Sequence, residues 1–236
     1  MFKLYNGLYG NPDLCTTFSR VGSDNESTYM TNLKTQSKDW LYRTKEVNYQ
    51  RNSHGHRCGD ATNCKIVFAG CSITEGISVA LEDTFAYKVS TTLGLKYYNL
   101  GINGFGPDML SINLSKWIEL YGAPDIVVLQ WPQAHRKFEL VNEEAVPVGP
   151  WHDRTTSQPY ISKDMWNNYE KVITTNYMDH FYFIIRETTV SYLKSLGIKV
   201  AELFPEDIPL IDRGRDLTHP GIKSHQILTD KLLQLL

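Results

Sequence analysis

Four short, apolar segments alternate with longer helical patterns in the last three-quarters of the chain, and this alternation constrains the fold most. The segments are 65–70 (KIVFAG), 96–100, 125–130 and 199–203. A continuous apolar run of this length suits a parallel strand that is buried on both faces. Strands joined by helices of ten or more residues form right-handed crossovers. The sequence therefore predicts an α/β fold with a mostly parallel sheet and helices on both of its faces.

The helical segments have recognisable ends. Asp83 is expected to cap the helix at 84–94, and Gly94 is placed to stop that helix in a left-handed conformation. Asp108 is expected to open the next helix. Residues 166–196 also have a helical pattern, in one or two pieces.

The balance of charge argues against large anionic partners. The chain of 236 residues has 24 Lys and Arg against 26 Asp and Glu, a formal net charge of −2. Such a chain has no net field to attract nucleic acid or an anionic membrane. Its apolar runs are far shorter than a membrane span needs, and its N-terminus has no apolar signal stretch. We therefore expect a soluble, unexported, cytoplasmic chain with neither nucleic acid nor membrane as a partner.

The chain is predicted to have one main domain. Residues 1–63 are polar and lack sustained periodicity, so they are expected to form an N-terminal extension that packs on the core. Residues 64–236 carry the alternating pattern and are expected to form the α/β domain. Within it, residues 131–165 contain prolines and tryptophans without a clear period, which predicts an insertion or lid over one end of the sheet.

The cysteines do not indicate a disulfide framework or a metal site. Four cysteines are sparse for a chain of this length, so reduced thiols are expected. His54, His56, Cys58 and Cys64 could in principle bind zinc, but their spacing matches none of the usual ligand patterns. No metal and no other cofactor is predicted.

Two separated segments carry side chains suited to nucleophilic catalysis. Ser72 follows the first predicted strand, at the carboxyl edge of the sheet where ligands of such folds bind. A serine needs a base to become a nucleophile, and the base needs an orienting acid. Asp216 and His219, three residues apart near the C-terminus, can supply that pair. A helix N-cap is the alternative role of Ser72.

Three motifs in order resemble those of the SGNH/GDSL hydrolases, over residues 65–236. They are GCSITEG at 70–76, NLGINGFG at 99–106 and DLTHPG at 216–221. The resemblance implies a flavodoxin-like, three-layer α/β/α fold with a parallel sheet of about five strands.

The resemblance also implies hydrolysis or transfer of an acyl group through a Ser-His-Asp triad. Ser72 would be the nucleophile, His219 the general base and then acid, and Asp216 the group that orients the imidazole. The backbone amides of Ser72 and Gly104 would form the oxyanion hole.

The residue before the serine departs from the family pattern. Cys71 stands where an aspartate is usual, which changes the hydrogen bonds behind Ser72 but removes no reacting group. Cys71 could itself be the nucleophile, since thiolates are reactive, but its side chain is expected to point away from the cleft of the serine.

The third family motif, a glycine and an oxyanion-binding asparagine after the third strand, is absent. Pro132 and Ala134 stand at those positions. Losing one oxyanion donor costs about 2.7–4 kcal/mol, or roughly 10²–10³ in rate. Gln133 is the first candidate substitute, because its neutral amide can donate in the same way, and Gln130 and His135 are others.

The substrate is expected to be an acyl ester, either a small molecule or a carbohydrate. Trp131, His135 and Arg136 are the candidate substrate-binding residues. Aromatic faces such as that of Trp131 pack on sugar rings, although the tryptophans could equally fill space beneath a loop. Arg136 could meet an anionic or sugar substrate from the lid, although a solvated loop explains it as well. The sequence thus predicts an esterase, deacetylase or acyltransferase. The alternative is a weak or inactive relative that serves as a carbohydrate-binding or structural module. The oligomeric state is left open.

Overall fold

The computed structural model describes residues 2–11, 13–141, 144–150, 163–173 and 176–236. The strands are β1 (Lys3–Tyr5), β2 (Leu8–Gly10), β3 (Thr17–Phe18), β4 (Tyr49–Gln50), β5 (Ile66–Ala69), β6 (Tyr97–Asn99), β7 (Ile126–Gln130), β8 (Lys137–Val141), β9 (Glu144–Val148) and β10 (Lys199–Leu203). The α-helices are α1 (Glu26–Thr35), α2 (Ser72–Glu75), α3 (Phe85–Leu93), α4 (Pro107–Tyr121), α5 (Lys163–Ile173), α6 (Tyr177–Ser195) and α7 (Ile222–Leu235).

A parallel sheet with the strand order β10-β7-β5-β6 lies at the centre of the molecule. In order of the chain its strands are arranged 4-3-1-2, which is the flavodoxin-like order read from the other edge. The predicted α/β class and parallel sheet are therefore confirmed. The predicted number of about five strands is one too high for the described residues, among which the sheet has four.

Helices cover both faces of this sheet. On one face, Phe85 and Val89 of α3 pack with Leu228 and Leu232 of α7 against the strands. On the other face, α4 and α6 bury a separate cluster that includes Trp117. The chain thus forms three layers, α/β/α, as the sequence predicts.

The start of α3 differs from the sequence-based expectation by one residue. Thr84 is the N-cap, and its hydroxyl accepts the amide of Tyr87 at 3.2 Å. Asp83 lies in the preceding 3-10 turn and pairs with Lys45 at 2.6 Å. Gly94 ends the helix with φ of 65°, as predicted.

The start of α4 also differs. Gly106 occupies the N-cap position and Pro107 the first turn, because proline needs no acceptor for its nitrogen there. Asp108 instead connects the helix to the β8–β9 hairpin. Its carboxylate accepts the amides of Met109 at 2.8 Å and Phe138 at 3.2 Å.

The first sixty residues contain the helix α1, which the sequence analysis missed. Its residues are mostly polar and exposed, so the segment lacks the apolar period that identifies a packed helix. Its ends are fixed by polar contacts instead. Asn25 caps the helix through the amide of Thr28, and Asn32 donates to the carbonyl of Arg215.

The segment expected to form an insertion is described in part. The antiparallel β8–β9 hairpin lies within 131–165, and residues 151–162 fall outside the described part of the chain. In the ranges that are described, no helix has the length and apolar character needed to cross a membrane.

Candidate active site

The serine motif forms a tight turn between β5 and α2. Ser72 is the first residue of α2 and is almost fully buried. Gly70 permits the turn, because a Cβ there would lie 2.2 Å from Thr74 Oγ1 and 3.0 Å from the Gln130 carbonyl oxygen. The Ser72 amide belongs to the first helical turn, whose amides have no acceptor within a helix. The turn therefore offers both a hydroxyl and a backbone donor at the carboxyl edge of the sheet.

Asp216 and His219 form a hydrogen-bonded pair in the loop before α7. His219 Nδ1 donates to Asp216 Oδ2 at 2.7 Å. Asp216 Oδ1 accepts the amides of Thr218 at 2.9 Å and of His219 at 3.0 Å. Because a carboxylate only accepts, the proton of the neutral ring lies on Nδ1, and Nε2 is left as a base.

The surroundings of Asp216 keep it ionised. Burial acts to raise its pKa, but the hydrogen bond and charge of His219 and the hydrogen bond from Ser23 outweigh burial and hold the pKa well below its usual range. The backbone amide of Asp216 is fixed by Ser78 Oγ at 3.2 Å. A fixed negative charge beside the imidazole stabilises the ring when it accepts a proton.

Ser72 and His219 line one cavity of about 280 Å³. Ser72 Oγ donates a long hydrogen bond to Cys71 Sγ at 4.0 Å. Within the described residues, no hydrogen bond joins the Ser72 hydroxyl to His219. Catalytic hydrogen bonds are often long before substrate binds. The structure thus brings the two predicted groups to a shared cleft.

The candidate oxyanion loop follows β6. Gly104 has φ of 86°, a conformation that favours glycine. The preceding residue, Asn103, donates its amide to Glu75 Oε2 at 2.7 Å. Gly104 is not among the residues that line the cavity, so its role as an oxyanion donor stays a prediction.

Glu75 is a residue that the sequence analysis did not single out. Its side chain is 1% exposed, and Oε1 accepts Arg51 Nη2 at 3.2 Å and Asn11 Nδ2 at 3.4 Å. Glu75 therefore connects the serine motif to the oxyanion loop and to the N-terminal residues. Its place in GCSITEG, six residues after the end of β5, was the one signal that could have identified it.

The candidate substitutes for the missing asparagine differ in availability. Gln130 is engaged, since its Nε2 donates to the Trp131 carbonyl at 2.8 Å and its Oε1 accepts the hydroxyl of Thr74 and the thiol of Cys71, both at 3.2 Å. Gln133 is exposed and lines the cavity beside Ser72. Gln133 is thus the better placed of the two.

The three candidate substrate-binding residues are divided by the structure. Arg136 lines the cavity, whereas His135 is not among the lining residues, and the carbonyl of His135 accepts the hydroxyl of Tyr169 at 2.8 Å. Trp131 is 0% exposed, and its Nε1 donates to Glu202 Oε2 at 2.9 Å. Trp131 nevertheless lines the cavity, so a contact of its largely covered indole with a sugar stays a prediction.

The residues considered for zinc are engaged in other contacts. His56 Nδ1 lies 2.9 Å from Tyr98 Oη and Nε2 lies 3.0 Å from the Tyr9 carbonyl. Burial raises the pKa of Cys58 to about 12, and its sulfur accepts the amide of Asn99 at 3.3 Å. Among the residues with described positions, no group of three or more His, Cys, Asp or Glu could hold a metal ion.

Comparisons with known proteins give structural similarity alone. No protein-family model matches the chain. No curated protein matches it. Among solved structures, it is similar to a protein described as a lipolytic protein of the G-D-S-L family from Desulfitobacterium hafniense DCB-2, with 14% identity, a TM-score of 0.40, and coverage of 74% of this chain and 100% of the other.

Two further similar structures have comparable scores. A member of the lipolytic protein G-D-S-L family from Veillonella parvula DSM 2008 has 15% identity and a TM-score of 0.38, over 72% of this chain and 96% of the other. An acetyl xylan esterase from the rumen bacterium Butyrivibrio proteoclasticus has 13% identity and a TM-score of 0.39, over 80% of this chain and 65% of the other.

The strand order and the layers of this chain, together with the position of its serine turn after β5, agree with the SGNH/GDSL-like fold that the motifs predict.

Proposed function

We propose that the chain is a serine esterase that uses Ser72, His219 and Asp216 as a catalytic triad. The observation that carries this proposal is the pairing of His219 Nδ1 with Asp216 Oδ2 at 2.7 Å, on the wall of the cavity that Ser72 also lines. That pairing leaves Nε2 as the only basic nitrogen of the neutral ring. A base that lines the same cavity as a buried serine at a strand-to-helix turn supports nucleophilic catalysis, which requires a serine and a base that can meet.

The reaction proceeds in two halves. Ser72 Oγ attacks the ester carbonyl while His219 Nε2 takes the hydroxyl proton, and Asp216 stabilises the imidazolium that forms. The tetrahedral oxyanion is held by the amides of Ser72 and Gly104, with Gln133 as a side-chain donor. The imidazolium gives its proton to the departing alcohol, which leaves an acyl-enzyme. Water, deprotonated by the same nitrogen, then attacks the acyl carbon, and the bond from that carbon to Ser72 Oγ breaks. The imidazolium returns its proton to Ser72 Oγ, and the acid leaves.

The cavity suits a small acyl group on a polar alcohol. Ile73, Ile208 and Leu210 give it an apolar wall, which can receive a short acyl chain. Gln133 and Arg136 lie on the same cavity and offer polar groups to hydroxyls. We therefore propose an acylated carbohydrate as the substrate, with hydrolysis or transfer to another hydroxyl as the outcome.

A second candidate function is a carbohydrate-binding or structural module without turnover. The absence of the third-motif asparagine favours it, because Pro132 and Ala134 cannot supply a side-chain donor to an oxyanion. Gln130 is a poorer replacement than Gln133, since it is buried and one of its two amide N–H groups already donates to the Trp131 carbonyl.

Turnover of p-nitrophenyl acetate and of an acetylated xylo-oligosaccharide by the wild type and by Ser72→Ala separates the two candidates. We expect Ser72→Ala to lower kcat by at least about 10³-fold. The matched control is Ser27→Ala, which removes an exposed hydroxyl in α1 and should leave turnover unchanged. Equal rates for Ser72→Ala and the wild type would overturn the proposal. No turnover by either, with sugar binding kept by both, would favour the module.

A further inference from the structure

A serine from the N-terminal part of the chain contacts the proposed acid–base pair. Ser23 lies in a short turn, Val21–Asp24, 193 residues before Asp216. Ser23 Oγ donates to Asp216 Oδ2 at 2.6 Å and lies 3.4 Å from His219 Nδ1. We propose that Ser23 is a fourth, positioning residue of the site, and this inference rests on the proposed function.

The contact falls on the oxygen that matters for catalysis. Asp216 Oδ2 accepts both His219 Nδ1 and the Ser23 hydroxyl, whereas Oδ1 accepts two backbone amides of its own loop. With all these donors in place, the carboxylate has a single orientation. The Ser23 hydroxyl also withdraws charge from the oxygen that faces the imidazole. Ser23 therefore acts on the base through Asp216, without touching the reacting atoms.

The turn that carries Ser23 is fixed to the catalytic loop by buried charges. Asp24 accepts Arg215 Nη2 at 2.7 Å, and the two side chains are 0% and 3% exposed. The hydroxyl of Tyr49 also donates to Asp24, at 2.5 Å. Arg215 directly precedes Asp216, so the buried pair holds Ser23 and the catalytic carboxylate at a constant separation. A chance contact of a surface serine would not be anchored in this way, because breaking a buried ion pair is costly.

The same turn also meets the candidate oxyanion loop. Gly22 has φ of 56°, and a Cβ there would lie 2.6 Å from Nδ2 of Asn103, the residue before Gly104. The turn therefore lies between the loop of the acid–base pair and the loop of the oxyanion donor. Its contacts place this N-terminal turn between two segments of the proposed active site.

The test compares Ser23→Ala, Ser23→Thr and the control Ser27→Ala in ester hydrolysis across pH. Hydrogen bonds to charged groups are strong enough that Ser23→Ala should lower kcat about 10-fold, with KM nearly unchanged. Without its extra donor, Asp216 stabilises the protonated ring more strongly, so the acid limb of the kcat/KM profile should move to higher pH. Ser23→Thr keeps the hydroxyl and should restore both rate and profile.

Two results would overturn the inference. One is a Ser23→Ala enzyme with the rate and pH profile of the wild type. The other is a lower rate with an unmoved pH profile and a lower thermal midpoint, since this shows a structural effect alone. Failure of the proposed function itself gives a different result, namely unchanged turnover in Ser72→Ala. The two failures are therefore distinguishable.

Discussion

The loop that carries the acid–base pair and the segment after β7 both line one cavity, and they are built differently. In the first, every oxygen of Asp216 is engaged, and buried contacts connect the loop to the N-terminal turn. In the second, Gln133 is an exposed side chain, and the position expected to hold an asparagine is Ala134. In the proposed mechanism, proton transfer would therefore rely on side chains that are already held in place, whereas oxyanion binding would rely on backbone amides and on the exposed amide of Gln133.

The largest expected effect comes from a substitution in the loop that carries the acid–base pair. Asp216→Asn keeps the shape of the side chain but places an NH₂ group or a weaker acceptor opposite His219 Nδ1, which favours the wrong tautomer. We expect kcat for p-nitrophenyl acetate to fall about 10³–10⁴-fold. The control is Asp230→Asn, which neutralises an exposed carboxylate on α7. A decrease of less than tenfold would mean that Asp216 does not orient the base.

The next largest effect is expected for Gln133 in the segment after β7. If Gln133 replaces the missing asparagine, Gln133→Ala should lower kcat by about 10²–10³-fold. Its side chain is exposed, so the thermal midpoint should not change. Gln234→Ala, which removes an exposed amide from α7, is the matched control. A rate equal to that of the wild type would leave the oxyanion to backbone amides alone.

A smaller effect on rate is expected where the serine motif supports the oxyanion loop. Glu75 Oε2 accepts Asn103 N–H and Oε1 accepts Arg51, and Glu75→Gln removes one of these two acceptors because an amide has a single acceptor oxygen. We expect kcat to fall about 10-fold and the free energy of unfolding to fall by about 3 kcal/mol, since Arg51 is buried.

Urea unfolding and initial rates measured on the same protein check both changes. Glu82→Gln is the control, because its carboxylate is exposed. A loss of stability without any loss of kcat would separate Glu75 from the oxyanion loop.

Sequence reasoning predicts those parts of the molecule that local patterns determine. The β5 segment is a short apolar run before a serine turn, and Asp216 and His219 lie within one loop, so neighbouring residues identify them. Ser23 could not be found in this way, because its contact joins positions 193 residues apart and a single serine has no pattern. The helix α1 was missed for a related reason, since polar contacts rather than an apolar stripe hold it.

Gln130, at the end of β7, and Gln133, just after it, show a further limit of sequence-based prediction. Gln130 and Gln133 were both possible replacements for the asparagine, and residue type could not rank them. Both line the cavity, but packing separates them, because Gln130 is buried and hydrogen-bonded to Cys71 and Thr74, whereas Gln133 is exposed. The buried indole of Trp131 has the same cause. Helices that are distant in sequence decide which side chains at the end of a strand are buried.

The smallest effect on activity is expected for a substitution of His225, which lies in α7 after the acid–base loop. Such a substitution should change the pH dependence of stability instead. Burial, reinforced by the charges of Lys88 and Arg57, lowers the pKa of His225 to about 3. The unfolded chain therefore binds more protons below about pH 6.5, and this contribution to stability is complete above that pH and declines as pH falls toward 3.

His225→Asn keeps an acceptor for the Phe85 amide, which now donates to Nδ1 at 3.2 Å, but removes the titration. The free energy of unfolding in urea should thus depend less steeply on pH between 6 and 4, by up to about 1.4 kcal/mol per pH unit. Activity at pH 7.5 should change less than about twofold, because the side chain is outside the cavity lining. His180→Asn, at an exposed histidine, should leave the slope unchanged. If the free energy of unfolding has the same pH slope in His225→Asn and in the wild type, the acid instability arises elsewhere. A loss of activity in acid would then need no correction for the titration of His225 before it is compared with the proposed triad.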